Sequence, residues 1–443
     1  MNVVFNWKGQ APAMLVVLAT MLTPEAAAAE IVTLHELEEL ALQNHARWEA
    51  VEATAAHASA ELDVARAAKR PTLGMNVLTV AAPGSFIEQV RTVDGREVNV
   101  QASPTVRQPG AFRPNARYEG IIDMRAPLYD GRAKAAIKAA EAYRAAAEAG
   151  SSASRESVLV TVRASYLDWM ESDLVYRFAA SAAEEAKAQR ARIEERVAEG
   201  DRSGTELDAA RYEELQVELA ASEALARAVG AKSLLESTVG TELSPEAEPD
   251  VELLEINAAE SKAHAHSEVD ALERQGEAAR REAQMHRGSR VPTLAIIGQT
   301  GVAGINERVF PMYRLGVSLA VPFWDGGRAV AMAHAAEAEA IELEARARDA
   351  RLKVDEDRQR ALLDRKQAEE QLVLANDLVS ISEKRVEQAQ ARYDLGAVEL
   401  EAVADARAAL REARSRLVQI QVARSDAILR IGEGSAAPGM RHP

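Results

Sequence analysis

The sequence predicts a duplicated α+β chain in which pairs of short strands alternate with very long helical hairpins. The phrases APLYDGR (126–132) and VPFWDGGR (321–328) are near copies, and each precedes a long run rich in Ala, Glu and Arg. The first run, 132–197, contains no Pro and only one Gly. With 4% aromatic and 28% charged residues, the composition is typical of long helices and coiled coils rather than of one large globule.

Composition also excludes several classes of function. The formal charge of −16 argues against a general nucleic-acid binder, which needs a basic surface. The chain has no cysteine, so disulfides, thiol catalysis, cysteine-based metal sites and a lipid-anchored N-terminal cysteine are all excluded.

The N-terminus has the pattern of a secretory signal peptide at 1–29. Lys8 is followed by an apolar segment at 11–22 and then by small residues, as cleavage requires. Twelve apolar residues are too few to span a bilayer as a helix. The alternative is the N-terminal helix of a cytosolic protein.

Landmarks at a constant spacing identify the duplication. Gly200 and Gly396 differ by 196 positions, and Pro127 and Pro322 differ by 195. The tripeptide Pro-Thr-Leu at 71–73 recurs 221 positions later, so about 26 extra residues lie in the first strand-to-strand loop, predicted at 81–116. A period this long indicates a duplicated half and not a solenoid repeat.

Each half is predicted to contain a helix, a strand pair and a long hairpin. The predicted segments are a first repeat at 30–240 (helix 31–70, strands 71–80 and 118–128, hairpin 132–239), a linker at 241–250, a second repeat at 251–432 (helix to 287, strands 291–300 and 313–322, hairpin 327–431) and a tail at 433–443.

The strands alternate with one apolar face, the pattern of half-buried strands. In the fourth strand, Tyr313, Leu315, Val317 and Leu319 alternate with polar or small residues. Strands of nine to eleven residues suit a tilted membrane-spanning strand; the alternative is a soluble sandwich. Four strands cannot close a barrel, so a membrane location requires several copies, and three would supply twelve strands.

The long helices set a length scale. The runs 133–198 and 327–393 would each extend about 100 Å at 1.5 Å per residue. Each returns at a glycine, which predicts long antiparallel hairpins with coiled-coil packing. Such a length exceeds a globular domain and could cross a periplasm.

The chain resembles the TolC-like outer-membrane efflux proteins over 31–432. The resemblance is carried by the duplicated order of elements, by the two Pro-x-aromatic-Asp-Gly phrases and by two turn motifs. These motifs are RVAEG…LDAAR (196–211) and RYDLG…VADAR (392–407).

The resemblance implies a membrane α+β fold: a trimeric, twelve-stranded outer-membrane β-barrel, with four strands per chain, continuous with a periplasmic α-helical coiled-coil barrel. It implies an outer-membrane location extending into the periplasm. The implied function is a passive exit duct for tripartite efflux or type I secretion. The implied partners are a homotrimer, a periplasmic adaptor (membrane fusion protein), an inner-membrane pump and outer-membrane lipid. The alternative is a periplasmic coiled-coil adaptor or structural protein without a pore.

The resemblance also implies where the functional residues lie. The entrance candidates are Asp405, Glu401, Tyr393 and Glu206, and the adaptor-facing turns contain Gly200, Gly204 and Gly396. Val398 stands where a gate-locking arginine is expected, and Ala402 replaces a second acidic residue. The alternative for Asp405 and Glu206 is that they are ordinary solvated helix positions.

The twin phrases are predicted to be junctions between strand and helix. Proline ends a strand because it cannot donate to the ladder, and Asp-Gly forms the turn before the helix. The junction residues are Pro127, Asp130, Gly131, Pro322, Asp325 and Gly326.

No catalytic constellation is present, and we expect neither enzymatic activity nor a cofactor. DGGR lacks the spacing of a phosphate-binding loop. His264 and His266 do not share a helix face, and with His286 they are only a weak metal motif. The exported cargo cannot be predicted.

Overall fold

The computed structural model describes residues 30–45, 47–83, 89–93, 96–100, 114–255, 267–305 and 308–433. The predicted signal peptide 1–29, residues 434–443 of the predicted tail, and His264 and His266 lie outside the described residues. Within them, seven α-helices and eight strands form the fold. The helices are α1 (Leu34–Asn44), α2 (Arg47–Ala67), α3 (Gly131–Ala198), α4 (Gly204–Val239), α5 (Ser267–Gly288), α6 (Arg328–Asp394) and α7 (Leu400–Glu433). The strands are β1 (Ile31–Val32), β2 (Thr72–Pro83), β3 (Gln89–Val93), β4 (Arg96–Val100), β5 (Pro114–Asp130), β6 (Glu248–Pro249), β7 (Thr293–Ile305) and β8 (Arg308–Ala320).

The single helix predicted at 31–70 is two helices. Thr33 caps α1 in a capping box with Glu36, the reciprocal pattern that satisfies two free backbone donors. The chain then turns extended at His45. The Trp48 Nε1–H donates to the Ala41 carbonyl at 2.7 Å, so a carbonyl at the end of α1 is satisfied by a side chain from α2.

The four long strands form one antiparallel sheet in the order β2-β5-β7-β8. They are longer than predicted, and the predicted loop 81–116 contains ends of β2 and β5 and a separate hairpin of β3 and β4. Sequence alternation did not reveal this hairpin, because its strands are only five residues each.

The two strand pairs have matching registers. Thr72 lies opposite Arg125, and Thr293 lies opposite Ala320. The first members of these pairs differ by 221 positions and the second by 195, the two shifts found in the sequence. The pairs β2–β5 and β7–β8 are therefore equivalent copies in the same register.

One face of this sheet is apolar and open. Its most exposed residues lie on the edge strand β8, where Tyr313 is 88% and Leu315 80% exposed. The opposite face is polar: Asp123 accepts hydrogen bonds from Asn76 Nδ2 at 2.5 Å and from Gln299 Nε2 at 2.6 Å. A sheet with one apolar and one hydrogen-bonded polar face is suited to a boundary between lipid and water.

The helices α3 and α6 contain 68 and 67 residues, so each is about 100 Å long. The shorter α4 and α7 pack antiparallel on them, and α5 lies between α3 and α6. The buried positions of α6 are mostly alanines, which allow close approach of the helix backbones. No helix in the described ranges has the length and apolar character needed to cross a membrane.

The largest apolar cluster among the described residues lies near the middle of α3, around the fully buried Tyr166. Its hydroxyl donates to the Val32 carbonyl at 2.9 Å and accepts from the Asp250 N–H at 2.8 Å. These two residues flank the parallel pairing of β1 with β6. One side chain on α3 therefore joins the N-terminal segment to the connection between the two halves, which the sequence predicted only as a linker.

We predict that Tyr166→Phe lowers the free energy of unfolding by about 1 kcal/mol or more, because a buried donor and acceptor lose their shared partner. The comparison is Tyr212→Phe, whose hydroxyl is exposed and accepts from Gln216. Chemical denaturation followed by circular dichroism measures both. Equal loss in the two variants would contradict the role given to Tyr166.

Candidate functional site

The two hairpin turns have the same backbone geometry. Gly200 and Gly396 have φ angles of 82° and 72°, the left-handed region in which glycine avoids a steric penalty. In the first turn the Asp201 N–H donates to the Arg196 carbonyl, and in the second the Ala397 N–H donates to the Arg392 carbonyl, both at 2.9 Å. This six-residue closure is a Schellman motif.

Gly204, predicted as a turn residue, is the first residue of α4, and Ser203 is its N-cap. The Ser203 hydroxyl accepts from the Glu206 N–H at 3.3 Å. The second turn has no equivalent glycine, since Leu400 begins α7.

A small apolar cluster lies directly behind both turns. It contains Ile193, Ala210, Tyr393, Leu400 and Val403, all buried. Val398 packs against this cluster. The position at which the resemblance led us to expect an arginine is therefore filled by an apolar contact, and Tyr393 is a core residue of the turn region, 1% exposed.

An arginine reaches Tyr393 from the other hairpin. The Arg202 guanidinium lies over the Tyr393 ring, 4.5 Å from its centre, a distance suited to a cation–π contact. Arg202 Nη1 also lies 3.1 Å from Glu206 Oε1, and Nη2 donates to the Tyr393 carbonyl at 3.4 Å. We call Arg202, Glu206 and Tyr393 the turn cluster.

The turn cluster leaves two polar atoms unsatisfied. The Tyr393 hydroxyl and Glu206 Oε2 are buried and have no hydrogen-bond partner among the described residues. Burial raises the pKa of Tyr393, as does the nearby Glu206 carboxylate, so the phenol stays protonated at neutral pH and can donate.

Sequence analysis missed Arg202, although the duplication contained the signal. Residues 202 and 398 differ by 196, as do Gly200 and Gly396, so Arg202 is the repeat partner of Val398. By the same shift Glu206 is the repeat partner of Ala402. The arginine and the acid absent from the second turn are thus present at equivalent positions of the first.

A second interaction between the hairpins lies about two helical turns from Glu206 along α4. Glu213 Oε1 lies 4.0 Å from Arg407 Nη1, and Glu213 is 6% exposed. Burial raises the pKa of Glu213 above its usual range, and Arg407 and Arg411 oppose that shift. Neither of these two atoms has a hydrogen-bond partner among the described residues, so α4 and α7 face each other here through two opposite charges that are shielded from water.

Of the predicted entrance residues, Glu206 and Tyr393 belong to the turn cluster, whereas Glu401 and Asp405 do not. Glu401 and Asp405 are exposed on α7, with Ala402 exposed beside them, while Leu400 and Val403 turn inward. Glu401 and Asp405 are four residues apart and therefore share a helix face. The structure places two carboxylates together on the open surface next to the second turn.

The two junctions differ more than their sequences suggest. Asp130 caps α3, accepting from the Ala133 N–H at 2.9 Å. Pro127 was predicted to end the strand, and this prediction is wrong: Pro127 lies within β5, at a register shift in its pairing with β7. Gly131 is helical and packs on Val291, where a Cβ would come within 2.6 Å of a methyl group.

In the second junction β8 ends at Ala320, before Pro322. Gly326 and Gly327 have φ angles of 68° and 85°, so the extra glycine of this phrase forms a left-handed turn that the first junction lacks. The Ala329 N–H donates to the Asp325 carboxylate at 2.8 Å and holds the pKa of that carboxyl below its usual range.

No group of three or more metal-ligating side chains occurs within the ranges that the structure describes. His286, the one histidine of the weak metal motif that is described, lies 3.3 Å from the Glu282 carboxylate.

Comparison with known proteins finds a family match over part of the chain and a shared fold over most of it. Residues 261–432 match the outer membrane efflux protein family, in agreement over that stretch with the resemblance stated from the sequence. No curated protein sequence matches the chain.

Several solved structures share the fold over nearly the whole chain. CusC, whose structures were described in relation to transmembrane channel formation, has a TM-score of 0.73 at 17% identity. The alignment covers 96% of this chain and 97% of the CusC chain. The Campylobacter jejuni CmeC outer membrane channel has a TM-score of 0.72 at 16% identity, with 90% and 84% covered. The Vibrio cholerae outer membrane protein VceC has a TM-score of 0.69 at 18% identity, with 90% and 94% covered.

Proposed function

We propose that this protein, whose residues 261–432 match the outer membrane efflux protein family, is the exit duct of a tripartite export system. It lies in the outer membrane and extends into the periplasm. In this role it conducts substrates passively, without covalent chemistry, from an inner-membrane pump and a periplasmic adaptor to the outside. The observation that carries the proposal is a sheet with one exposed apolar face joined directly to helices of about 100 Å.

The sheet supports assembly from several copies. Its edge strands β2 and β8 each pair with one neighbour within the described residues, and unpaired backbone groups are not tolerated in lipid. Four strands are too few to close, and three copies supply the twelve strands of a barrel. The copies would place the apolar face toward lipid and the Asp123 face toward the lumen.

The duplication predicts how neighbouring copies pair. Within one chain β5 pairs with β7, and Asp123 lies opposite Gln299. Adding 195 to 123 gives Ser318 on β8, and subtracting 221 from 299 gives Leu78 on β2. Both residues lie on the same face of the sheet as Asp123, which supports a pairing of Ser318 with Leu78 of the next copy.

The helices support a periplasmic tunnel. Apolar side chains remain exposed on α4 and α6, including Leu215, Leu219, Leu363 and Leu374, each at least 63% exposed. In a ring, these positions would pack on the helices of adjacent copies. The turns at Gly200 and Gly396 would then form the far end of the tunnel and meet the adaptor.

In this arrangement the turn cluster is a latch between the hairpins. Arg202 holds the first turn against Tyr393 of the second hairpin. Opening the tunnel would require the hairpins to separate at this point. Arg202 thus supplies, from the first hairpin, the arginine that was expected at position 398 of the second.

We predict that Arg202→Ala raises the open fraction of single channels about twofold or more, the effect of losing even a weak cation–π contact. Arg192→Ala is the control, since Arg192 is exposed and donates to Gln189 in its own helix. Recordings in planar bilayers measure the open fraction. Unchanged gating in Arg202→Ala would rule out the latch.

We predict that Asp405 lines a threefold entrance, where three carboxylates concentrate cations. Asp405→Ala should reduce cation selectivity and raise the concentration of hexamminecobalt(III) for half block about tenfold or more. Asp63→Ala, on α2 and remote from the turns, is the matched control. Unchanged selectivity and block in Asp405→Ala would exclude this entrance, and a soluble monomer without conductance would exclude the duct itself.

A further inference from the structure

A cavity of about 320 Å³ lies where the sheet meets the helices. It is bounded by the start of α3, the end of α5 and the segment that joins β8 to α6. Its volume is within the range of small-ligand pockets. Its polar and aromatic lining includes Arg132, His286, Ser289, Arg290, Trp324 and Arg328.

The cavity carries an excess of positive charge. Asp325 is the one carboxylate in its lining, and that carboxylate already accepts the Gly327 and Ala329 N–H groups and lies 3.6 Å from Arg290. Arg132 and Arg328 are exposed, and neither has a carboxylate within 4 Å among the described residues. Two guanidinium groups are therefore available to a ligand anion.

The cavity belongs to a wider basic belt at the level where strands become helices. Segments 66–71, 130–138, 286–292 and 321–328 together contain nine lysines and arginines and two aspartates. Three further carboxylates pair with this belt, since Asp63 and Glu141 lie near Arg66 and Glu337 lies near Arg287, and an excess of positive charge remains. The chain as a whole has a net charge of −16. A local reversal of sign at one level of an acidic protein points to an anionic partner at that level.

Exposed aromatic residues adjoin the cavity. Phe323 and Trp324 are 93% and 85% exposed, and they continue the apolar surface of β8 from Leu319 and Val321. Trp324 contributes to both the apolar surface and the cavity lining. An anion-binding pocket beside an apolar surface suits a ligand with a charged head and a hydrocarbon tail.

We propose that this cavity binds the phosphate of an anionic phospholipid in the periplasmic leaflet of the outer membrane. Arg132 and Arg328 contact the phosphate, and Trp324 lies at the boundary between headgroup and acyl chain, where tryptophan is enriched. The proposal rests on the proposed function, which places the junction at the membrane surface. A lipid is favoured over free phosphate because a free ion leaves the adjoining aromatic surface uncovered.

The test uses the full chain purified in detergent and titrated with brominated phosphatidylglycerol or brominated phosphatidylcholine. Bromine quenches tryptophan fluorescence on contact. Of the four tryptophans, Trp48 and Trp169 are buried and Trp7 belongs to the predicted signal peptide that is removed from the mature chain, so the response reports on Trp324. Trp324→Phe verifies this reporter. The variant pair is Arg132→Gln with Arg328→Gln, and the matched control is Arg348→Gln with Arg385→Gln on exposed positions of α6.

We expect saturable quenching by phosphatidylglycerol with an affinity about tenfold or more above that of phosphatidylcholine, lost in the variant pair and kept in the control. Inorganic phosphate at equal concentration should not displace the lipid. Equal affinity for the two lipids, preference retained by the variant pair, or displacement by inorganic phosphate would each overturn the proposal. Conductance of the same preparation is recorded separately, so a conducting protein without lipid preference rejects the site and leaves the duct intact.

Discussion

The unpaired backbone edges of the four-stranded sheet are the constraint on which the rest of the structure depends. β2 and β8 each present a row of N–H and C=O groups that no described strand of the same chain pairs. Such an edge, beside an exposed apolar face, is an aggregation hazard in water and is not tolerated in lipid. In the proposed assembly, closing the sheet with further copies would satisfy both edges and place the apolar face in lipid. Because Asp130 is followed directly by α3, the number of copies around the sheet would also set the number around the helices.

The two halves of the chain are alike in the sheet and differ at the junctions and at the hairpin turns. The strand pairs keep an identical register. The junctions have diverged, since Gly131 packs on Val291 whereas Gly326 and Gly327 form a left-handed turn. At the turns, Arg202 and Val398 occupy equivalent positions and meet at the same apolar cluster from opposite hairpins. The first half therefore supplies the Arg202 guanidinium, and the second half supplies the Tyr393 ring on which it lies.

The features set by local periodicity could be predicted from the sequence. Alternation located the second and fourth of the long strands, and the scarcity of Gly and Pro located α3 and α6 to within a few residues. The glycine spacing identified both turns. Contacts between distant segments could not be predicted, because no local pattern encodes them: examples are the pairing of β1 with β6 and the two hydrogen bonds of Tyr166. The contact of Arg202 with Tyr393 was not predicted either, because the two residues lie on different hairpins and are 191 positions apart.

The most direct test of ring closure uses the absence of cysteine from the chain. With Leu78→Cys and Ser318→Cys introduced together, the only thiols lie on the two sheet edges, at positions that the internal register places opposite each other between copies. Neighbouring antiparallel strands bring Cα atoms to about 4.5–5.5 Å, within reach of a disulfide. Mild oxidation of membranes should give a covalent trimer on a non-reducing gel that reverts to monomer with reductant, whereas Val77→Cys with Ser318→Cys, which lie on opposite faces, should not. Monomer alone from the Leu78 and Ser318 pair would contradict closure of the sheet by three copies.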